Sequence, residues 1–169
     1  MDPGEPDEPD EPGDPGHPGE PAPGETLAQA AERVIGDWQR CMELSDFQAA
    51  GMAPAWSGLR TQNGLTCAGC HATGTGGFIA VAQAETFFST IRNDKYMLLQ
   101  FVTIDLTQGA AAAKVIVNQQ SFSGVSSGIA PHAEHPRFTH PANAGMTALR
   151  AFYDRTQQRI VSGQCGPLT

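Results

Sequence analysis

Apolar residues recur along much of this chain at helical spacing. Leu27, Ala30, Ala31, Val34, Ile35, Trp38, Cys41 and Met42 follow the i, i+3, i+4, i+7 rule, which predicts an amphipathic helix over 27–43. Thr26 and Gln29 at its head match the capping-box pattern S/T-x-x-E/Q. Ser45 and Gln48 match a second box before a short helix carrying Phe47, Ala50 and Met52; Pro54 is expected to kink or end it. Val81, Ala84, Phe87, Phe88 and Ile91 predict a helix over 80–92, punctuated by Asn93-Asp94. The apolar stretch from Tyr96 to Ile104 reads equally as helix or strand. Residues 109–119 (GAAAAKVIVNQ) are expected to be helical on their alanines, although Val115-Ile116-Val117 weighs against it. Met146, Leu149, Phe152, Tyr153, Ile160 and Val161 predict a last helix over 143–162. Two long loops are expected, 61–77 and 120–142. No internal repeat is visible, and the fold class that follows is mainly α.

Composition changes this picture at one end. Residues 1–25 hold 9 of the 18 acidic residues, none of the 10 Lys and Arg, and 8 of the 13 prolines. Proline removes backbone donors, like charges repel, and no large apolar side chain follows Met1, so this segment cannot bury a core. It is expected to be a disordered acidic Pro/Gly-rich spacer, with an acidic docking arm or calcium-attracting tail as the other reading. Residues 26–169 form the expected folded domain, with a formal charge of +1 from 9 acids and 10 bases. No basic cluster points to nucleic acid. No apolar run reaches the roughly 18 residues of a bilayer span.

The candidate chemistry lies in Cys67-Ala-Gly-Cys70-His71. C-x-x-C-H is the attachment pattern for haem c. Two thiols at this spacing can add across the two vinyl groups, and the adjacent histidine then falls beneath the iron. Three other readings compete. A redox C-x-x-C ordinarily sits where a strand meets a helix, but here the flanks are Gly/Thr loop. A structural zinc site needs four ligands, and the remaining cysteines, Cys41 and Cys165, stand alone. The third is a plain Cys67–Cys70 disulfide.

In layout, residues 26–169 resemble a single-haem c-type cytochrome of the class I kind. An N-terminal helix precedes the CxxCH loop, a ligand loop follows some 60 residues later, and a C-terminal helix closes the chain. The resemblance is specific at CAGCH and at the glycines after it, Gly74, Gly76 and Gly77. It implies a cytochrome c-like helical domain in which a backbone carbonyl of that loop accepts from the second nitrogen of His71. It also implies terminal helices packed together, which would let Cys41 and Cys165 meet as a disulfide. Haem-linked cysteines and a disulfide both point to an oxidising, exported location.

The usual distal methionine of that family is missing from the 120–142 loop. Met97 and Met146 are the nearest, and each reads more simply as core. The loop instead offers His132, His135 and His140 within PHAEHPRFTHP. His135 is the first choice for distal ligand, because Pro136 stiffens the chain behind it and Phe138 can cover the haem edge. His132 is second and His140 third. Arg137 is a candidate partner for a haem propionate, set against a solvated loop arginine. Trp38, Trp56, Phe87, Phe88, Phe101 and Tyr153 are candidate haem-packing aromatics, and equally plain core.

The expected function is one-electron transfer by an exported, bis-histidine haem c protein in the periplasm or at the cell surface. It would work with redox partner proteins and as an electron carrier rather than an enzyme. The spacer is expected to tether it to a lipid anchor or another domain, its export signal having been removed. The alternatives are a haem-based small-ligand sensor and a structural module whose C-x-x-C is a disulfide.

Overall fold

A computed structural model describes residues 21–129 and 132–165. Most of the tail expected over 1–25 lies outside them, as do residues 130 and 131 of the expected loop. The described residues are mainly helical, with one two-stranded antiparallel sheet.

The first helix, α1 (Leu27–Cys41), begins at Thr26, whose hydroxyl accepts from the Gln29 backbone N–H while the Gln29 side chain returns to the Thr26 N–H. Its buried face is Ala30, Val34, Ile35, Trp38 and Cys41. Glu25, the last residue of the predicted spacer, pairs with Arg33 at 2.8 Å through both carboxylate oxygens. Ordered structure therefore reaches back past Thr26.

Helix α2 (Leu44–Ala49) starts two residues earlier than its predicted box, with Glu43 rather than Ser45 at the N-cap and no side-chain cap. Ser45 thus lies inside the helix, and Phe47, fully buried, holds it in place. Gly51 (φ 70°) turns the chain into α3 (Met52–Ser57). Pro54 neither kinks nor ends a helix: it sits in the first turn, where its missing N–H has no intrahelical acceptor.

Three segments depart from the expected pattern. The 61–77 loop contains α4 (Cys67–His71), a single helical turn made of CAGCH itself and capped by Thr66, whose hydroxyl accepts from the Gly69 N–H. After α5 (Ala84–Asn93), the ambiguous stretch divides into α6 (Lys95–Phe101) and the strand β1 (Val102–Asp105). The alanine-rich segment expected to be helical makes only a 3-10 turn over Ala110–Ala112 and then the strand β2 (Lys114–Val117). There the β-branched run outweighs the alanines. β1 and β2 pair antiparallel, with Val102 opposite Val117 and Ile104 opposite Val115. Finally, α7 (Gln119–Ser127) occupies the first part of the expected 120–142 loop, capped by Asn118 and anchored by buried Phe122.

The last helix, α8 (Ala144–Val161), is capped by Asn143 and packs against α1, α2, α3 and β2. It is therefore the central strut of the fold. Trp38, Met42, Phe47, Trp56, Phe87, Phe101, Met146 and Leu149 are each at most 1% exposed and form one continuous core. The ends of α1 and α8 are joined by a disulfide between Cys41 and Cys165, 124 residues apart. On the surface of that packing, Asp46 of α2 receives Arg155 and Arg159 of α8. Among the described residues no helix is long and apolar enough to cross a membrane.

Candidate functional site

The short helix α4 is held at both ends. Before it, an isolated β-bridge joins Arg60 to Thr66, and the Cys67 N–H donates to the Leu59 carbonyl at 2.9 Å. After it, the chain doubles back through Gly74 (φ 85°) and Gly76 (φ 68°). L side chains disfavour that left-handed backbone, and it brings the Thr75 carbonyl against the His71 ring. His71 Nδ1 lies 2.6 Å from that carbonyl oxygen. A carbonyl can only accept, so Nδ1 carries a proton and Nε2 is the nitrogen left for another partner.

A cleft opens over this ring. Its inner part, about 190 Å³, is walled by Trp56, Phe78, Phe122, Val125 and Phe138. Its outer part, about 370 Å³, is bordered by Thr61, Leu65, Cys70, Glu134 and Pro136. Cys67, His71, Gly76, His132 and His135 line both parts. The inner wall is a chain of edge-to-face and tilted aromatic contacts: His71 with Phe78 at 5.2 Å, Phe78 with Trp56 at 5.8 Å, and Trp56 with Phe122 at 4.9 Å.

His135 faces His71 across this space. Their ring centroids are 6.0 Å apart with planes 25° from parallel. Metal–imidazole bonds of about 2.0–2.1 Å, from nitrogens about 1.1 Å from their ring centres, put two rings that share one atom about 6 Å apart. Nδ1 of His135 is buried without a hydrogen bond of normal geometry. Burial holds this imidazole below the usual histidine range, and the neighbouring His71 and His132 push the same way against the main chain at Pro136 and Val125. A neutral imidazole of this kind is chemically able to ligate a metal.

The two thiols of the pentapeptide are free, Cys67 half-buried and Cys70 exposed. Burial, with Cys70 beside it, raises the Cys67 pKa to about 11. A thiol held up in this way by burial stays protonated near neutral pH. Among the described residues no three His, Cys, Asp or Glu side chains converge as a site for a bare metal ion.

The remaining candidates are distributed unevenly. His132 is exposed at the cleft. His140 is not among the lining residues; its Nε2 is buried without a partner, and Arg150 acts on it. Met97 and Met146 are 6% and 0% exposed within the core. The Arg137 side chain is also absent from the lining; its Nε lies 3.4 Å from where a Cβ on Gly128 would stand, at the C-terminus of α7. Of the six aromatics picked from the sequence, only Trp56 lines the cleft, and the other five pack elsewhere in the core. Phe78 and Phe122 were missed. Phe78 carried a usable signal, a large apolar residue directly after a glycine-rich loop; Phe122, isolated among serines, carried none.

The chain matches no protein-family model, no curated protein sequence and no solved structure.

Proposed function

We propose that this protein is an exported one-electron carrier holding one haem c in a cytochrome c-like domain. Cys67 and Cys70 would hold the group covalently, and His71 and His135 would ligate its iron. The observation that carries the reading is the pairing of His71 and His135: two imidazoles 6.0 Å apart over a pair of free thiols. The surrounding residues fit the group. The Thr75 carbonyl fixes the His71 tautomer and leaves Nε2 available. Trp56, Phe78, Phe122 and Phe138 offer an apolar wall of aromatic carbon. The unpartnered Nδ1 of His135 imposes no competing tautomer.

Bound there, haem supplies a centre that cycles between ferric and ferrous iron. The protein's part is to orient both imidazoles, to line the Trp56 side with apolar carbon and to leave the Cys70 side open. Two histidines give a lower potential than a histidine–methionine pair. The disulfide between Cys41 and Cys165 accords with an oxidising compartment. An acidic spacer ahead of the folded body would serve as a tether, to a lipid anchor or a neighbouring domain, from which the carrier reaches redox partner proteins.

The test is a haem-stained denaturing gel of protein made in a host able to mature c-type cytochromes, followed by absorbance. Covalent stain and a sharp α-band on reduction, unaltered by CO, are expected. Rapid CO binding would move the reading to a small-ligand sensor. A chain with no Soret band overturns it. Substitution of His135→Ala is expected to change both the reduced spectrum and the potential; if neither changes, His135 is not the ligand.

A further inference from the structure

The two histidines belong to segments 64 residues apart, and they must be held at a set distance by something other than whatever lies between them. On the His71 side, the turn Thr61–Gly64 closes through Gly64 N–H to Thr61 O at 2.9 Å, and Thr61 N–H donates to Leu65 O at 2.9 Å. The bridge between Arg60 and Thr66 and the bond from Cys67 N–H to Leu59 O make this turn continuous with α4. On the other side, His135 N–H donates to His132 O at 3.0 Å, and Pro136 fixes the next φ. The Arg137 side chain then lies over the C-terminal end of α7, where a cation is favoured.

These two rigid pieces meet at one point. Gln62 N–H donates to the Arg137 carbonyl at 2.7 Å. Among the described residues this is the one hydrogen bond joining residues 60–77 to residues 132–138. It is made two residues from His135 and five from Cys67.

We propose that the Gln62–Arg137 main-chain bond is a clasp that sets the spacing of His71 and His135, and so governs how readily His135 gives up its place to a competing ligand. The inference rests on the haem reading for its consequence but not for its geometry. Gln62 is a positioning residue acting through its backbone alone, so its side chain is dispensable and its N–H is not.

That distinction supplies the test. Gln62 is the second residue of a β-turn, a position that welcomes proline, and proline has no N–H to donate. Gln62→Pro therefore removes the clasp while keeping the turn, and Gln62→Ala keeps both. Amide hydrogen exchange over residues 132–138 is measured on all three proteins whether or not haem is attached. Exchange in Gln62→Pro is expected to rise roughly threefold to tenfold, the span of one modest hydrogen bond, with Gln62→Ala like the wild type. In haem-bearing protein, the rate of CO binding to the reduced form is expected to rise by a similar factor in Gln62→Pro alone. Wild-type exchange in Gln62→Pro overturns the clasp, as does a Gln62→Ala protein that behaves like Gln62→Pro. Absence of haem from all three overturns the proposed function instead, and leaves the exchange result to decide the clasp.

Discussion

A single methyl group tests the central packing of this fold. A Cβ on Gly145, at the start of α8, would stand 3.0 and 3.1 Å from Cε2 and Cδ2 of Trp56 and 3.2 Å from Oδ1 of Asn143. Carbon atoms pack best at about 3.5–4.0 Å, so the methyl overlaps both its neighbours. The indole has nowhere to retreat: it is 1% exposed and packed against Phe78, Phe101 and Phe122. The Asn143 oxygen is also committed, since it accepts from the Met146 N–H at 2.8 Å as the cap of α8. Overpacking of this kind costs about 1–3 kcal/mol. Replacing a helical glycine by alanine returns about 0.5–1 kcal/mol. Gly145→Ala should therefore be destabilised by up to about 2.5 kcal/mol, lowering Tm by a few degrees in a domain of this size. Gly36, within α1, has no atom within 4 Å of its would-be Cβ. Gly36→Ala escapes the clash and should gain about 0.5–1 kcal/mol. Both are measured by urea unfolding followed by circular dichroism. The same chemical change is thus expected to act with opposite sign at two sites. If Gly145→Ala is as stabilising as Gly36→Ala, the close approach of α8 to Trp56 is wrong.

Three further outcomes are expected. Cys165→Ala, which opens the 124-residue closure to Cys41, should lose up to about 4–5 kcal/mol, a fall in Tm of roughly 10–20 °C, and reducing agent should bring the wild type to the same midpoint. Burial, and Arg150 after it, hold His140 below the usual histidine range, so the unfolded chain takes up its proton first. Its stabilising contribution is complete above a pH of about 6.5 and is lost as pH falls below that value; a urea midpoint that drops between pH 7.5 and 5.5 less in His140→Gln and Arg150→Gln than in the wild type would confirm it. Tyr153 donates to the Val115 carbonyl at 2.8 Å while its ring stacks on Trp38 at 4.9 Å, so Tyr153→Phe should keep the stacking and cost about 1 kcal/mol in the same assay.

What the sequence made legible follows from where each signal resides. The first and last helices carry their information locally, in long apolar stripes, and the Thr26–Gln29 box needs only four residues. CAGCH is equally local. Segment α7, by contrast, reads QSFSGVSS after its first glutamine and has little helix propensity of its own; it is helical because Phe122 is buried against Trp56 and Phe101. The alanines of 110–113 give helix propensity without an apolar face, and Val115 gains more by packing as a strand. At the site, His135 could be chosen among three histidines from loop stiffness, but its approach to His71 arises from tertiary packing. So do the roles of Phe78 and Phe122, and so does the bond from Gln62, a residue whose side chain has no part in it.

The position of α8 has a consequence for the order of events during synthesis. The two most extensive helix pairings of the core both need the final segment: α1 and α3 rest on it. The ribosome reaches Val161 about 90 residues after His71, several seconds later at about 5–20 residues per second. Until then α3, the helix on which α4 lies, lacks its largest partner. An enzyme that acts on Cys67 and Cys70 during that interval would meet an unfinished pocket, and recognition at that stage would rest on the pentapeptide and its near neighbours.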